Sequence, residues 1–279
     1  MSKFQTGCGI VDIMMHTMER YFTNGGNMEL TDALAEGLLR TVMKNAVILH
    51  TDPANYEARA EVMWAGSLSH NGLTGCGIAR GDFMSHKLEH EMGGMFDVTH
   101  GAGLAALWPS WARYVYKDCL PRFVRFARNV MGVTTDGTDE EIALKGIEAM
   151  VDFYHSIGMP ASFHELGIAP TDAQINEMAR RCLEASGTAL GSAKKLGLDD
   201  IIAIYHAANQ RIVHANHGQI NLMLFCKCRQ LIKFHRTDRH TLCILCDSRI
   251  ARCTINFIYL RTLSHFPCDR MLTSAAAND

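Results

Sequence analysis

The sequence predicts an all-α fold, built of many helices, over residues 1–209. Two observations carry this prediction. Apolar residues recur in this region at spacings of three and four, and no segment alternates apolar and polar residues over a strand-like length. Several of the periodic segments also begin beside a residue that commonly caps a helix. We therefore expect a multi-helix domain, followed by a region of a different kind.

The predicted helices follow one another along the chain. Helical periodicity marks residues 9–22, 31–49, 55–73, 83–95, 138–158, 171–186 and 198–209. Thr31 is a candidate N-cap for the second of these helices. Thr138 with Glu141, and Thr171 with Gln174, have the spacing of a capping box, in which two side chains satisfy two free backbone donors.

The bulk composition argues against several classes of function. The chain has 279 residues, of which 48% are hydrophobic, and a formal net charge of -2. This charge gives no support to nucleic-acid binding or to attachment at a membrane surface. No segment approaches the roughly 18 uninterrupted apolar residues of a membrane span. The first residues lack the pattern of a signal peptide, so we expect a cytoplasmic protein.

Sequence signatures of nucleotide-binding βαβ units are missing. The chain contains neither G-x-G-x-x-G nor G-x4-G-K-[ST], the two glycine-rich loops that hold phosphates at a helix N-terminus. We therefore expect this chain to lack a nucleotide-binding domain of those kinds.

Residues 210–279 differ in composition from the rest of the chain. They carry ten Lys and Arg against four Asp and Glu, and six of the ten cysteines. Cys226-x-Cys228 and Cys243-x2-Cys246 could form a zinc module, but the first spacer is unusually short and no ββα pattern surrounds them. We expect an atypical Cys/His-rich tail that is disordered or not native to the preceding domain.

Three histidines fall within the fifteen residues HKLEHEMGGMFDVTH. His86 and His90 are four apart, so they share one face of the predicted helix. Gly93 and Gly94 are expected to end or bend that helix, which would let His100 fold back toward the same point. Neutral imidazole is a common ligand of divalent transition metals. The segment therefore predicts a metal site; the alternative is three separate hydrogen-bonded core histidines.

A second segment supplies a carboxylate and a fourth imidazole. In GIVDIMMHTMERYF, Asp12 and His16 are four apart on a mostly apolar helix. Such groups are costly to bury unless they are paired or bind a metal, although Asp12 could instead be solvated near the start of the chain. One Asp with three His suits Fe²⁺ or Zn²⁺. Glu89 and Asp97 could orient imidazole rings, or they could be solvated helix charges.

The segment HKLEH also fits a different enzyme class. It has the form H-x-x-E-H, the inverted zincin signature, in which His86 and His90 would bind zinc and Glu89 would be the general base of a peptidase. A pattern of five residues has a high rate of chance matches. The inverted-zincin metallopeptidase therefore remains an alternative at this point.

A longer resemblance covers residues 1 to about 209. Asp12-x3-His16, followed by His86-x3-His90-x9-His100 and a glycine, resembles the iron-containing alcohol dehydrogenases. Three longer segments are similar to sequences of the butanol dehydrogenase-like, NADPH-using branch of that family: GIVDIMMHTMERYFT, NYEARAEVMWAGSLSHNGL and HKLEHEMGGMFDVTHGAGLAALWPSW. The resemblance implies the helical, metal-binding C-terminal domain of that family.

The resemblance also implies roles for individual residues. Asp12, His16, His86 and His100 would be the metal ligands, binding Fe²⁺ or Zn²⁺. His90 would not bind the metal; it would lie beside the nicotinamide of NADPH or NADH and take part in proton relay. The reaction implied is hydride transfer between the cofactor and a small alcohol or aldehyde.

Members of this family carry an α/β nucleotide-binding domain before the Asp-x3-His helix. The present chain begins near the end of that domain, so we expect a fragment that lacks most of the cofactor site. Its expected partners are the missing half or a second copy of itself in a homodimer. A non-catalytic helical module is the remaining alternative, since loss of a covering domain exposes apolar surface.

Overall fold

Helices make up almost all of the regular structure in the computed structural model of the protein, which describes residues 1–78, 81–187 and 190–210. The ten α-helices of these residues are α1 (Lys3–Tyr21), α2 (Glu29–Thr51), α3 (Tyr56–His70), α4 (Met84–Phe96), α5 (His100–Val115), α6 (Leu120–Asn129), α7 (Asp139–Ser156), α8 (Phe163–Leu166), α9 (Asp172–Ser186) and α10 (Leu198–Asn209). A short 3₁₀ turn (Leu73–Gly75) follows α3. No strand is present in the described ranges, apart from one isolated bridge between Leu190 and Leu196. The all-α prediction is confirmed.

Helix α5 lies at the centre of the packing. It contacts α1, α4, α7, α8 and α10, and most of its residues are buried, including Trp108 and Trp111. A helix that is apolar around most of its circumference belongs in an interior. At Gly101 an added Cβ would lie 2.1 Å from the carbonyl oxygen of Cys8. This close crossing of α5 over α1 brings the start of α5, with His100, beside α1.

The predicted capping boxes are both present. Thr138 with Glu141 begins α7, and Thr171 with Gln174 begins α9; in each pair the two side chains accept the two backbone N–H groups. The prediction for Thr31 was wrong. Helix α2 begins two residues earlier, at Glu29, and the Thr31 hydroxyl donates to the carbonyl of Cys76, 2.9 Å away. The Thr31 hydroxyl therefore makes a tertiary hydrogen bond instead of capping the start of α2.

Helix α4 also differs from the prediction at its C-terminal end. Gly93 and Gly94 lie inside the helix and do not end it. The helix ends at Phe96, and the next residue, Asp97, has a φ of 50°, in the left-handed region. A non-glycine residue in this region reverses the chain direction at some conformational cost. The turn leads directly into α5, so that His100 follows the end of α4 by only a few residues.

Two further predictions concern membrane spans and the C-terminal tail. No helix among the described residues combines the length and the apolar character needed to cross a membrane. The predicted tail, with its candidate zinc module, lies outside the described residues from 211 onward. The described residues fall within one compact unit of the chain.

Candidate metal centre

Five ionisable side chains from four helices meet at one place. We call this set the histidine cluster: Asp12 and His16 from α1, His70 from the end of α3, His86 from α4 and His100 from α5. Asp12 and His16 meet because residues four apart on a helix share a face. The others arrive by tertiary packing, since α1 contacts α3, α4 and α5.

Asp12 lies at the middle of the histidine cluster. Its Oδ1 is 3.3 Å from Nε2 of His86, 3.5 Å from Nε2 of His100 and 3.6 Å from Nε2 of His16. Its Oδ2 is 3.7 Å from Nε2 of His70. The side chain of Asp12 is 29% exposed, so the cluster opens to solvent on one side. One carboxylate thus faces four imidazoles, each through its Nε2 atom.

Two buried glutamates hold the rings of His86 and His100 from behind. Glu19 contacts Nδ1 of His86, and Glu89 contacts Nδ1 of His100, both as very short hydrogen bonds. Because a carboxylate only accepts hydrogen bonds, each Nδ1 must carry a hydrogen. The hydrogen is thus assigned to Nδ1 in both rings from the carboxylate that faces it. When the rings are neutral, their Nε2 atoms therefore present lone pairs toward Asp12. This is the arrangement of a metal-binding histidine with its supporting carboxylate.

Glu19 has a second function in the fold. Its Oε1 accepts the backbone N–H of His86 at 3.1 Å, in the first turn of α4. That N–H has no partner within the helix, and α4 has no side-chain cap at Phe83. The same carboxylate thus satisfies the start of α4 and orients the His86 ring, which fixes the ring relative to α1.

Glycines make room for the carboxylate of Glu89. An added Cβ would lie 2.6 Å from Oε1 of Glu89 at Gly103, and 2.9 Å from the same atom at Gly93. Any larger residue at either position would displace the carboxylate that supports His100. Gly93, which the sequence suggested as a helix breaker, thus leaves room for the carboxylate of Glu89.

The charges of the histidine cluster shift its proton affinities strongly. Burial raises the pKa of Asp12, but hydrogen bonds from His100 and His86 outweigh it and hold that pKa far below its usual range. Burial lowers the pKa of His86, yet contacts with Asp12 and Glu19 raise it to about 9. Hydrogen bonds to Asp12 and Glu89 raise the pKa of His100 to about 10. The site therefore attracts positive charge, which a proton or a metal ion supplies.

His16 differs from the other rings in the cluster. Burial and the charge of His86 lower the pKa of His16 to about 4. Its ring lies between those of His70 and His86, with centroid distances of 4.0 and 4.4 Å. Its Nδ1 is buried and has no hydrogen-bond partner among the described residues. His16 is therefore a neutral ring at neutral pH, which is the form that binds metals.

The candidate ligands fall into overlapping triads. Among the described residues, ligand atoms within 4.8 Å of one another occur in Asp12–His86–His100, in Asp12–His16–His70 and in Glu89–His90–His100. Three of the four expected ligands thus share one triad, and His16 shares Asp12 with a histidine that was not expected. In the third triad Glu89 is already bound to His100.

His90 lies beside the cluster on its open side. It is exposed, and its ring centroid is 5.5 Å from that of His100 and 6.1 Å from that of His86. The inverted-zincin alternative is not favoured by this arrangement. It requires Glu89 as a free general base, whereas Glu89 is 2% exposed and bonded to His100.

Sequence reasoning missed two members of the site. Glu19 has a signal that could have found it, since Asp12, His16 and Glu19 are spaced i, i+4, i+7 on one helix face. His70 has no such signal; only the packing of α3 against α1 brings it to Asp12. Of the two acidic residues considered as orienting groups, Glu89 has that contact, and Asp97 is exposed.

Comparison with known proteins relates the chain to a known sequence family. Residues 6–209 match the sequence family described as the Fe-containing alcohol dehydrogenase family, C-terminal. The match covers well over half of the chain.

The chain belongs to the iron-containing alcohol dehydrogenase family. It is 37% identical over 204 residues to NADH-dependent butanol dehydrogenase A of Clostridium acetobutylicum, covering 73% of this chain and 52% of that protein. It is 30% identical over 204 residues to NADPH-dependent aldehyde reductase YqhD of Escherichia coli, again covering 73% and 52%. The chain thus spans about half the length of the curated relatives it matches.

Solved structures of the family share the fold. The substrate- and cofactor-free form of aldehyde reductase YqhD from E. coli matches with a TM-score of 0.70 at 30% identity, over 75% of this chain and 54% of that one. NADH-dependent butanol dehydrogenase A from Thermotoga maritima matches with a TM-score of 0.69 at 33% identity, over 75% and 53%. The helical domain described above is therefore the C-terminal domain of this family.

Proposed function

We propose that this chain supplies the metal-binding half of an alcohol or aldehyde oxidoreductase. Asp12, His16, His86 and His100 are the proposed ligands of one Fe²⁺ or Zn²⁺ ion. The observation that carries the proposal is the pair of buried carboxylates behind His86 and His100, which direct two Nε2 atoms at Oδ1 of Asp12. Imidazole and carboxylate are suitable donors for either ion.

The residues of the chain have distinct tasks in this proposal. When bound, the metal polarises the oxygen of an alcohol or aldehyde as a Lewis acid, and a nicotinamide cofactor exchanges the hydride. Glu19 and Glu89 hold the tautomers of His86 and His100. The single charge of Asp12 fixes the cation on the side of the cluster that opens to solvent.

His90 is the proposed proton-transfer residue. It is exposed beside His100 and belongs to no triad with Asp12. Its position on the open side lets the ring exchange a proton between the substrate oxygen and solvent, a task for which histidine is well suited. We propose NADPH or NADH as the cofactor, and small alcohols or aldehydes as substrates, from the names of the relatives.

Metal content per chain tests the ligand assignment. We expect the full chain, purified without oxygen, to retain about one Fe or Zn more than the Asp12→Ala variant. His90→Ala keeps this ion. His206→Ala is a matched control, because His206 is also a partly exposed histidine beside a carboxylate, 4.0 Å from Asp172. Equal metal content in wild type and Asp12→Ala, with both well folded, would overturn the proposal.

Reconstitution tests the reaction. Supplying the nucleotide-binding half of a relative is expected to restore NAD(P)H-linked reduction of a short aldehyde by the metal-loaded chain. In that assembly His90→Ala should lower kcat by roughly 10²-fold or more, with metal content unchanged. A metal-loaded, assembled enzyme that remained inactive would favour the non-catalytic alternative.

A further inference from the structure

His70 is an additional histidine in the cluster, outside the proposed ligand set. Its Nε2 lies 3.7 Å from Oδ2 of Asp12, whereas His86 and His100 lie against Oδ1. Its side chain is 43% exposed and its ring packs against His16. Asp12 therefore has imidazoles on both of its oxygens, and the three histidines proposed as ligands above all face Oδ1.

The neighbours of His70 indicate which ring nitrogen carries the hydrogen. Nδ1 lies 3.0 Å from the carbonyl oxygen of Gly66 and 2.7 Å from the hydroxyl of Ser69. That hydroxyl is 2.9 Å from the same carbonyl and donates to it. In the tautomer with a hydrogen on Nδ1, that nitrogen donates to the carbonyl oxygen of Gly66. Nε2 of the neutral ring then presents a lone pair toward Asp12, as in His86 and His100.

In that tautomer Nε2 of His70 and Oδ2 of Asp12 are two lone-pair donors 3.7 Å apart, which a cation between them would bind together. His16 adds a third candidate metal ligand, since the ligand atoms of Asp12, His16 and His70 lie within 4.8 Å of one another. Two imidazoles and one carboxylate form the ligand set of many zinc sites with an open position. We propose that Asp12, His16 and His70 form a second cation position, so that Asp12 bridges two divalent ions.

This inference rests on the proposed function, because the first ion is the one proposed above. His16 faces Asp12 through its single accessible nitrogen, Nε2, while Nδ1 is buried. It therefore serves one ion at a time. When the second position fills, His16 and His70 serve the second ion, and the first keeps Asp12, His86 and His100. Ions that share a carboxylate in this way lie roughly 4 Å apart.

Charge sets the order in which the two positions fill. The first position is backed by the carboxylates of Glu19 and Glu89. Near the second position is the guanidinium of Arg20, whose Nη1 lies 2.9 Å from the carbonyl oxygen of Ser69 and also contacts that of His16. The positive charge of Arg20 weakens the second position relative to the first. The second ion therefore binds only after the first and at a higher free concentration.

Manganese titration followed by electron paramagnetic resonance tests the proposal on the full, metal-free chain. We expect two ions in the cluster, with the spectrum of the first broadened by spin coupling when the second binds. His70→Phe keeps a ring against His16 but removes the nitrogen. It should bind the first ion normally, weaken the second on the order of 100-fold or more, and abolish the coupling. His206→Ala is the control and should retain both ions and the coupling.

The outcomes separate this proposal from the one on which it rests. A wild-type chain that binds one uncoupled ion, lost in Asp12→Ala but kept in His70→Phe, overturns the second position and leaves the first intact. A coupled pair that persists in His70→Phe also overturns it. Loss of the first ion in His70→Phe would instead make His70 a ligand of a single ion. A chain whose cluster binds no ion overturns both proposals.

Discussion

The helical domain contains two groups of buried carboxylates whose negative charge is balanced in different ways, by arginines in one group and by histidines in the other. In one, Asp32 and Glu36 of α2 face two arginines of α6; we call this the arginine cluster. Arg122 binds Asp32 through two hydrogen bonds of 2.6 Å, and Arg125 binds Glu36 at 2.5 Å. The Tyr21 hydroxyl donates to Glu36 at 2.8 Å. Arginine is always charged, so this cluster is complete within the protein.

At the histidine cluster, the ion pairs that Asp12 and the two glutamates behind it make with other described residues are all with imidazoles. Glu19 and Glu89 are as deeply buried as Asp32, at 1%, 2% and 2% exposed. Their partners carry positive charge only when protonated. Burying an ionised carboxylate is costly unless hydrogen-bond donors or a cation compensate for the lost hydration. The arginine cluster has its own, which makes it part of the scaffold, whereas the histidine cluster depends on protons or on a metal ion. Because of this contrast we propose a structural role for the arginine cluster and a metal-binding role for the histidine cluster.

Removing an acid from the arginine cluster is expected to have the largest effect on folding. Asp32→Ala leaves the guanidinium of Arg122 buried without its bidentate partner, and should lower the free energy of unfolding by about 3 kcal/mol. Urea denaturation measures this loss. Metal content of the folded variant should equal that of wild type. A variant that lost its metal while keeping its stability would erase the distinction between the clusters.

Replacing a supporting acid of the histidine cluster should act mainly on the metal. Glu19→Gln weakens the hydrogen bond to Nδ1 of His86, and Glu89→Gln weakens the one to Nδ1 of His100. Each substitution should reduce metal affinity about 10- to 100-fold. Competition with a chelator gives the affinities. Glu148→Gln is the matched control, since Glu148 is an exposed carboxylate paired with Arg113 at 2.7 Å. An equal effect in all three variants would contradict a specific role for the two buried acids.

Alkaline pH should distinguish the clusters in the metal-free protein. The pKa of His86 is raised to about 9 and that of His100 to about 10. Because these histidines bind a proton more tightly in the folded state, their protonation stabilises the fold. This stabilisation is fully present below the unfolded-state pKa of about 6.5 and is lost as the pH rises through the folded-state pKa values. We expect the free energy of unfolding to fall between pH 7 and 10, by about 2 kcal/mol after allowance for solvent screening.

The comparison variant for this experiment is His86→Gln, in which the decline with pH should be shallower. Arginine pairs stay charged over this range, so the arginine cluster contributes no decline of its own. Adding metal should reverse the trend, because protons and metal compete for the same Nε2 atoms. Parallel curves for wild type and His86→Gln would show that the histidine cluster is not the source of the decline.

The smallest effect is expected at the N-cap of α7, which belongs to neither cluster. Thr138 accepts the backbone N–H of Glu141 at 3.3 Å at the start of α7. Thr138→Ala should lower the free energy of unfolding by about 1 kcal/mol and leave metal affinity unchanged. Thermal denaturation with a metal titration checks both. A change in metal affinity here would mean that any loss of stability disturbs the site, and that the contrast between the clusters is not specific.

The sequence predicted those features that depend on residues close together along the chain. Both capping boxes, the shared faces of Asp12 with His16 and of His86 with His90, and the all-α class follow from periods of three and four residues. Long similar segments also indicated the family, which the comparisons confirmed. Thr31 was misjudged because its hydroxyl binds a carbonyl 45 residues away in the chain, that of Cys76. Gly93 was misjudged because its role is to leave room for the Glu89 carboxylate, one turn earlier in the same helix.

Only the tertiary structure decided what surrounds those local motifs. Glu19 and His86 are 67 residues apart in the chain, yet one carboxylate supports both the ring and the start of α4. His70 reaches Asp12 only because α3 packs on α1. Local periodicity fixes which face of a helix a side chain occupies. Which faces meet depends on close packing over the whole interior, where Gly101 allows α5 to cross α1 and the histidine cluster to form.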